Sequence, residues 1–120
     1  MLFNDWLAQI CTTESPDDSI IAFNFGLFET ENGYMVYLVG SSTYDEEDED
    51  WATEEDFVPS IKYFELPPEE FRHLRFDVVQ QKVKAKIEAF MQTDIFKQSF
   101  LFRAVAITIG FDDGNLELIK

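Results

Sequence analysis

The stretch YDEEDEDWATEEDF places nine carboxylates and one tryptophan in the twelve positions from Asp45 to Asp56, with Tyr44 and Phe57 at its ends. Side chains of this kind at this density can ligate a hard cation through oxygen, or attract a cationic partner. A calcium loop of the EF-hand type beginning at Asp45 would need glycine at its sixth position, where the chain has Asp50. Beginning at Asp48, the sixth position is Thr53. The spacing excludes an EF-hand, and we expect no metal site and no cofactor.

Other reactive side chains are few. Cys11 is the single cysteine and falls on the apolar face of an opening helix, which predicts an inert, packed thiol. His73 is the only histidine, so one pairing with a nucleophile is all the chain allows, and no spacing brings the two together. Five scattered glycines form no phosphate loop. The run Asp112, Asp113 and Gly114 has apolar flanks and reads as a tight turn rather than a ligand set. These observations predict a protein that is not an enzyme.

As a binding surface the acidic stretch has more to offer. Extended, its twelve residues reach roughly 40 Å, with a charge density close to that of a nucleic-acid strand. Tyr44 and Trp51 add aromatic groups of the type that anchor interfaces. The candidate partner-binding residues are therefore Tyr44 and Trp51, the run Asp45, Glu46, Glu47, Asp48, Glu49 and Asp50, and the group Glu54, Glu55 and Asp56. The competing reading is plainer: Trp51 and Phe57 tuck into the core and the acids lie in water as a solvated loop at about residues 42–56.

The elements that must carry this stretch follow from periodicity. Phe3, Trp6, Leu7, Ile10 and Cys11 mark one face of a helix, which ends in TTESPDD. SIIAFNFGLFE alternates Ile21, Phe23, Phe25 and Leu27 against Ala22, Asn24, Gly26 and Phe28, as a strand does. With Asn32 and Gly33 as a two-residue turn at positive φ, Glu31 would face Tyr34, Phe28 would face Tyr37 and Leu27 would face Leu38. VPSIKYFEL predicts a third strand with Pro59 near its start, and LPPEEFRHL a turn into a short helix. Phe76, Val79, Val83, Ile87 and Phe90 form the stripe of a longer helix with Asp77 at its N-cap, which IFKQSFLF extends. RAVAITIGF and the residues after it predict a closing hairpin pairing Phe111 with Leu116 and Ile109 with Leu118.

This order of elements does not alternate strictly between strand and helix, which argues against a doubly wound parallel sheet. The expectation is one α+β domain over residues 1–120: an antiparallel sheet of two hairpins and a middle strand, packed against two or three helices. A chain of 120 residues, 46% hydrophobic and with thirteen phenylalanines, can bury such a core.

Formal charge is −15, from 24 acidic against 9 basic residues. That field repels nucleic acid and anionic lipid and attracts cationic proteins, so we expect a cationic protein partner, no nucleic acid and no membrane. One cysteine fits a reducing compartment, and the opening MLFNDWLAQICTTESPDD lacks the basic start of a leader. The expected location is the cytoplasm.

DEDWATEEDFVP after a hairpin, followed by AVAITIGFDDGNLELI, resembles the small bacterial immunity proteins of polymorphic toxin systems. The likeness covers the middle and the last third of the chain. It implies a small cytosolic α+β protein, without catalysis or cofactor, that binds a cognate toxin and blocks its active surface. It directs attention to Asp48, Glu49, Asp50, Trp51, Glu54, Glu55, Asp56 and Phe57. The alternative is an acidic regulatory adaptor that binds a peptide at a sheet edge, with the acidic run serving only solubility.

Overall fold

The computed structural model describes all residues, 1–120. It opens with helix α1 (Phe3–Thr13), which buries Phe3, Trp6, Leu7 and Ile10; Cys11 is only partly covered. The Trp6 indole, fully buried, donates to the Ile61 carbonyl at 2.8 Å, so the largest side chain of the helix carries no unmet donor into the core. The Asp5 carboxylate accepts from the Leu2 N–H at 3.0 Å and serves the helix start.

Strands β1 (Ala22–Thr30) and β2 (Gly33–Ser41) form an antiparallel hairpin. Its register departs from the sequence expectation by two residues: Thr30 pairs with Gly33, Phe28 with Met35 and Leu27 with Val36. Only Gly33 takes a positive φ, +152°, and Asn32 does not, so the loop residues are Glu31 and Asn32. An even shift keeps every side chain on its expected face, because faces repeat every two residues.

β3 (Tyr63–Glu65) pairs with β2 and is three residues long, shorter than the apolar run suggests. The preceding residues spend their hydrogen bonds elsewhere: Ser60 N–H on Glu14, the Ile61 carbonyl on Trp6, and Phe57 on Gly40 through a single bridge. Helices α2 (Pro68–Phe71), α3 (Phe76–Phe90) and α4 (Asp94–Lys97) follow, then a 3-10 turn at Phe100–Arg103. IFKQSFLF is thus two short pieces, each opened by a side chain: Thr93 Oγ1 accepts from Phe96 N–H and Ser99 Oγ from Leu101 N–H. In α3, Val79, Val83, Ile87 and Phe90 are buried, while Phe76 is 59% exposed. Arg75, rather than Asp77, holds the N-cap position, and Asp77 lies in the first turn.

β4 (Ala106–Phe111) runs parallel to β1, and β5 (Glu117–Leu118) antiparallel to β4, giving the order β3-β2-β1-β4-β5. The fold is α+β as expected and the sheet mostly antiparallel, with one parallel pair that the sequence reading did not include. Parallel neighbours need a long crossover, and the helical stretch between β3 and β4 supplies it. The closing hairpin differs by one residue: Thr108 pairs with Leu118 and Ile109 with Glu117. Neither Asp113 nor Gly114 takes positive φ, so the connection is wider than a two-residue turn. An odd shift exchanges faces, which leaves Leu118 57% exposed and turns Glu117 toward α3.

One face of the sheet carries Phe23, Phe25, Leu27, Val36, Leu38, Ile107 and Ile109 against the helices, and this is the main core. The other face, with Ala22, Asn24 and Gly26 on β1, is where the acidic segment lies.

Candidate functional site

On the back face of the sheet, a single aromatic side chain fixes the acidic segment. Trp51, 5% exposed, packs on Ala22 and Ala106 at the ends of β1 and β4, with Tyr44 edge-on to it at 5.2 Å between ring centroids. Two alanines side by side leave the depth an indole needs. The 3-10 turn that presents it, Glu49–Thr53, starts at Asp48, whose carboxylate accepts from the Asp50 N–H at 3.0 Å. Ser42 closes the base of the loop: its N–H and its hydroxyl both donate to Asp56 Oδ2, at 2.9 and 2.8 Å. Those bonds, the backbone one first, hold the Asp56 carboxyl below its usual range.

Each carboxylate from Asp45 to Asp56 is exposed. Of the nine, only Glu55 meets a cation, the Lys62 ammonium at 2.7 Å. Glu54 accepts from the Thr43 hydroxyl at 3.1 Å, and Glu49 from the Leu116 N–H at 3.0 Å, which ties the segment to the turn after β4. The structure therefore separates the candidates. Trp51 is buried and Tyr44 packs on it; Asp45, Glu46, Glu47 and Asp48 face water; Glu49, Asp50 and Glu55 line a cleft between the segment and the sheet.

That cleft has a volume of about 400 Å³. Asn24, 4% exposed on β1, also lines it, and its Oδ1 accepts from the Thr108 hydroxyl at 2.9 Å. Tyr37 and Asp112 also line the cleft, joined by a hydrogen bond of 2.5 Å from the phenol to Oδ1. Burial, and then that bond to a carboxylate, push the Tyr37 phenol well above its ordinary value, so it remains a donor. Its ring lies flat over Gly26: a Cβ there would come within 2.0 Å of Tyr37 Cζ. Glycine is required at that position for the phenol to cross β1.

Beyond Tyr37 the back face stays open. Phe28, Tyr37 and Tyr63 form an aromatic group with centroids 5.9 to 6.2 Å apart. The Lys62 ammonium sits over it, 5.3 Å from the Tyr37 ring and 5.0 Å from the Tyr63 ring. Its hydrogen bond to Glu55 raises the Lys62 pKa, against the opposing effect of burial.

Asn24, Thr108, Tyr37 and Asp112 were not among the sequence candidates. A signal for the first two existed: a polar residue in the middle of each of two apolar strands. In the sequence Asp112 reads as a turn residue alone. No group of three or more His, Cys, Asp or Glu side chains converges closely enough to hold a metal ion, and no helix is long and apolar enough to cross a membrane. No protein-family model, no curated protein and no solved structure matches the chain.

Proposed function

We propose that the chain is a non-enzymatic, immunity-type binding protein that sequesters a cationic protein toxin through the face built by residues 44–56. The observation that carries this reading is a run of nine exposed carboxylates of which only Glu55 meets a cation, held in one place on the sheet by Trp51. Burial of Trp51 on the paired Ala22 and Ala106 is the geometry that the solvated-loop reading expects, so the support for binding lies in the unneutralised charge that the indole holds there. Here the indole holds a dense negative surface in one place, which reduces the ordering a partner must impose on binding. Electrostatic attraction then speeds encounter, and contacts made at the surface slow release. Docking of this kind would cover a basic working surface on the toxin without chemistry by this chain. The edge-binding alternative has less support, because the strands at the two edges span three and two residues and offer short ladders.

The test is capture from the cytosol of the source organism, followed by rebuilding the binary complex from the purified partner. Wild type is compared with the variant Asp45→Asn, Glu46→Gln, Glu47→Gln, Asp48→Asn. Asparagine keeps the acceptors that Glu47 N–H and Asp50 N–H use, so the segment keeps its shape. The expected result is a stoichiometric basic partner whose association rate falls at least about tenfold in the variant at low salt and falls with salt for the wild type. A partner bound equally by both proteins would remove the acidic face from the mechanism.

A further inference from the structure

We infer that the cavity at the end of β1 is the anchor site for the cationic partner, and that it takes one large apolar side chain from an extended segment carrying lysine or arginine on both sides of that residue. The inference rests on the sequestration reading and names the contact that slows release. The cavity, about 610 Å³, lies between the end of β1, the start of α3 and the turn after β4. Leu27, Tyr34, Phe76 and Phe111 line it, with Phe111 edge-on to both Tyr34 and Phe76 at 5.9 Å between ring centroids. Such a volume and lining suit an apolar group. Phe76 is the one member of the α3 stripe left exposed, at 59%, and covering its ring is favourable.

The backbone adds a polar handle. β4 ends at Phe111, which pairs with Leu27, whereas β1 runs on to Thr30. The Leu27 carbonyl accepts from Asp112 N–H at 3.1 Å on the β4 side. Alternate residues of a strand turn their backbone groups the same way, so Glu29 points its N–H and C=O to that side too, where β4 has stopped. The Gly114 N–H nearby goes to the Phe111 carbonyl at 2.9 Å. Opposite Glu29, the Tyr34 carbonyl accepts from Leu66 N–H at 3.0 Å on the side away from β1, so β2 does not take this rung either. One rung is too short for strand addition, yet it can orient a single residue. Directly opposed residues share a face, so a residue paired with Glu29 sets its side chain on the face of Leu27, where the cavity is.

Charge selects the occupant. Glu29, Asp112 and Asp113 border the cavity and form no ion pair. No lysine or arginine of the chain lines it or stands over Tyr34, Phe76 or Phe111. A second copy of this chain would bring the same acids and a further −15 to the contact, which opposes self-association. A segment with an apolar side chain between cations matches the walls and the rim together.

The experiment needs no toxin. The uniformly ¹⁵N-labelled chain is titrated with acetyl-Lys-Lys-Phe-Lys-Lys-amide and followed by amide chemical shifts. Two control peptides carry alanine in place of the phenylalanine, or glutamates in place of the lysines. The expected outcome is saturable movement of the Glu29, Gly114 and Asn115 amides, with the alanine peptide at least about tenfold weaker and the glutamate peptide without effect. Phe76→Ala should weaken the phenylalanine peptide at least about fivefold, and Glu29→Gln with Asp113→Asn should weaken it and flatten its salt dependence. Glu46→Gln with Glu47→Gln should change it less than about twofold. The side chains changed at the cavity are exposed, so these variants keep the fold, and amides away from the cavity report on it. Equal binding of the alanine peptide, shifts confined to residues 45–56, or indifference to Phe76→Ala would each overturn the assignment. The two readings fail separately: peptide binding at the cavity of a protein that captures no basic partner would sink sequestration and keep the site. Capture of a basic partner by wild type and Phe76→Ala alike, with no peptide bound, would do the reverse.

Discussion

The Tyr37 phenol on β2 donates to Asp112 Oδ1 at the far end of β4, across β1 and across 75 residues of sequence. Tyr37, Gly26 and Gly110 form one rung of three strands, and the ring can cross it because Gly26 has no side chain. Tyr37→Phe keeps the ring and removes the bond, and should destabilise the protein by about 1–2 kcal/mol, the range for a hydrogen bond to a charged acceptor at a half-covered site. The bond also makes a signature in pH. A phenol whose folded pKa is raised contributes stability that is complete below its unfolded value, about 10, and that is lost as pH rises through the folded value. Tyr34 is raised too, but it is present in both proteins, so the difference between them isolates Tyr37. Urea unfolding at pH 8 and pH 11 should show the gap between wild type and Tyr37→Phe narrowing at the higher pH. A constant gap would mean the bond does not form in solution.

Trp51 is the second point at which the back face can be tested. Trp51→Ala removes an indole from a small cluster on Ala22 and Ala106 and should cost about 3 kcal/mol, the lower end for burying and then deleting a large aromatic. The main core lies on the other side of the sheet and keeps its packing, so the protein should remain folded with a freed segment. Limited digestion with a protease specific for glutamate should cut wild type slowly and the variant rapidly within residues 46–55. Equal resistance would show that the hydrogen bonds of Ser42, Thr43 and Leu116 hold the segment without the tryptophan.

Local periodicity made much of this fold readable and left the site mostly unread. The stripes of α1 and α3 and the two faces of β1 are patterns of three to four and of two, written in consecutive residues. Turn conformation is not written that way: Asn32 and Gly33, and Asp113 and Gly114, look alike as dipeptides, yet only Gly33 takes positive φ, and the registers shifted by two and by one. The parallel contact of β1 with β4 depends on how three helices cross one face, which no segment encodes alone. The same applies to the cleft. Its exposed acids were visible as a run, but the bonds made by Asn24 and Tyr37 join residues 84 and 75 positions apart. Trp51 suited both an interface and a core; the adjacent alanines that decide the matter lie on separate strands.

Glu117 gives the acid side of the stability profile. Its carboxylate accepts from Lys84 at 2.8 Å, Gln80 at 3.1 Å and Gln81 at 2.8 Å, and so fastens β5 to α3. The Lys84 bond first, and then the two glutamines, hold its pKa below the ordinary 4.5. A carboxyl lowered on folding contributes stability that is present above about pH 4.5 and lost as pH falls through the folded value. Acting against this is the chain's own charge, a formal −15 at pH 7, whose self-repulsion works against the compact state. Wild type should therefore gain stability from added salt at pH 7, which screens that repulsion over about 10 Å at 0.1 M. Glu117→Gln should be less stable than wild type at pH 7, with the gap closing as pH falls below about 4.5 and through the lowered folded value of Glu117. Thermal unfolding of both proteins from pH 3 to pH 7 reads this directly. A gap that persists unchanged to pH 3 would assign the contribution of Glu117 to shape rather than to charge, and β5 would then be held to the helix by packing alone.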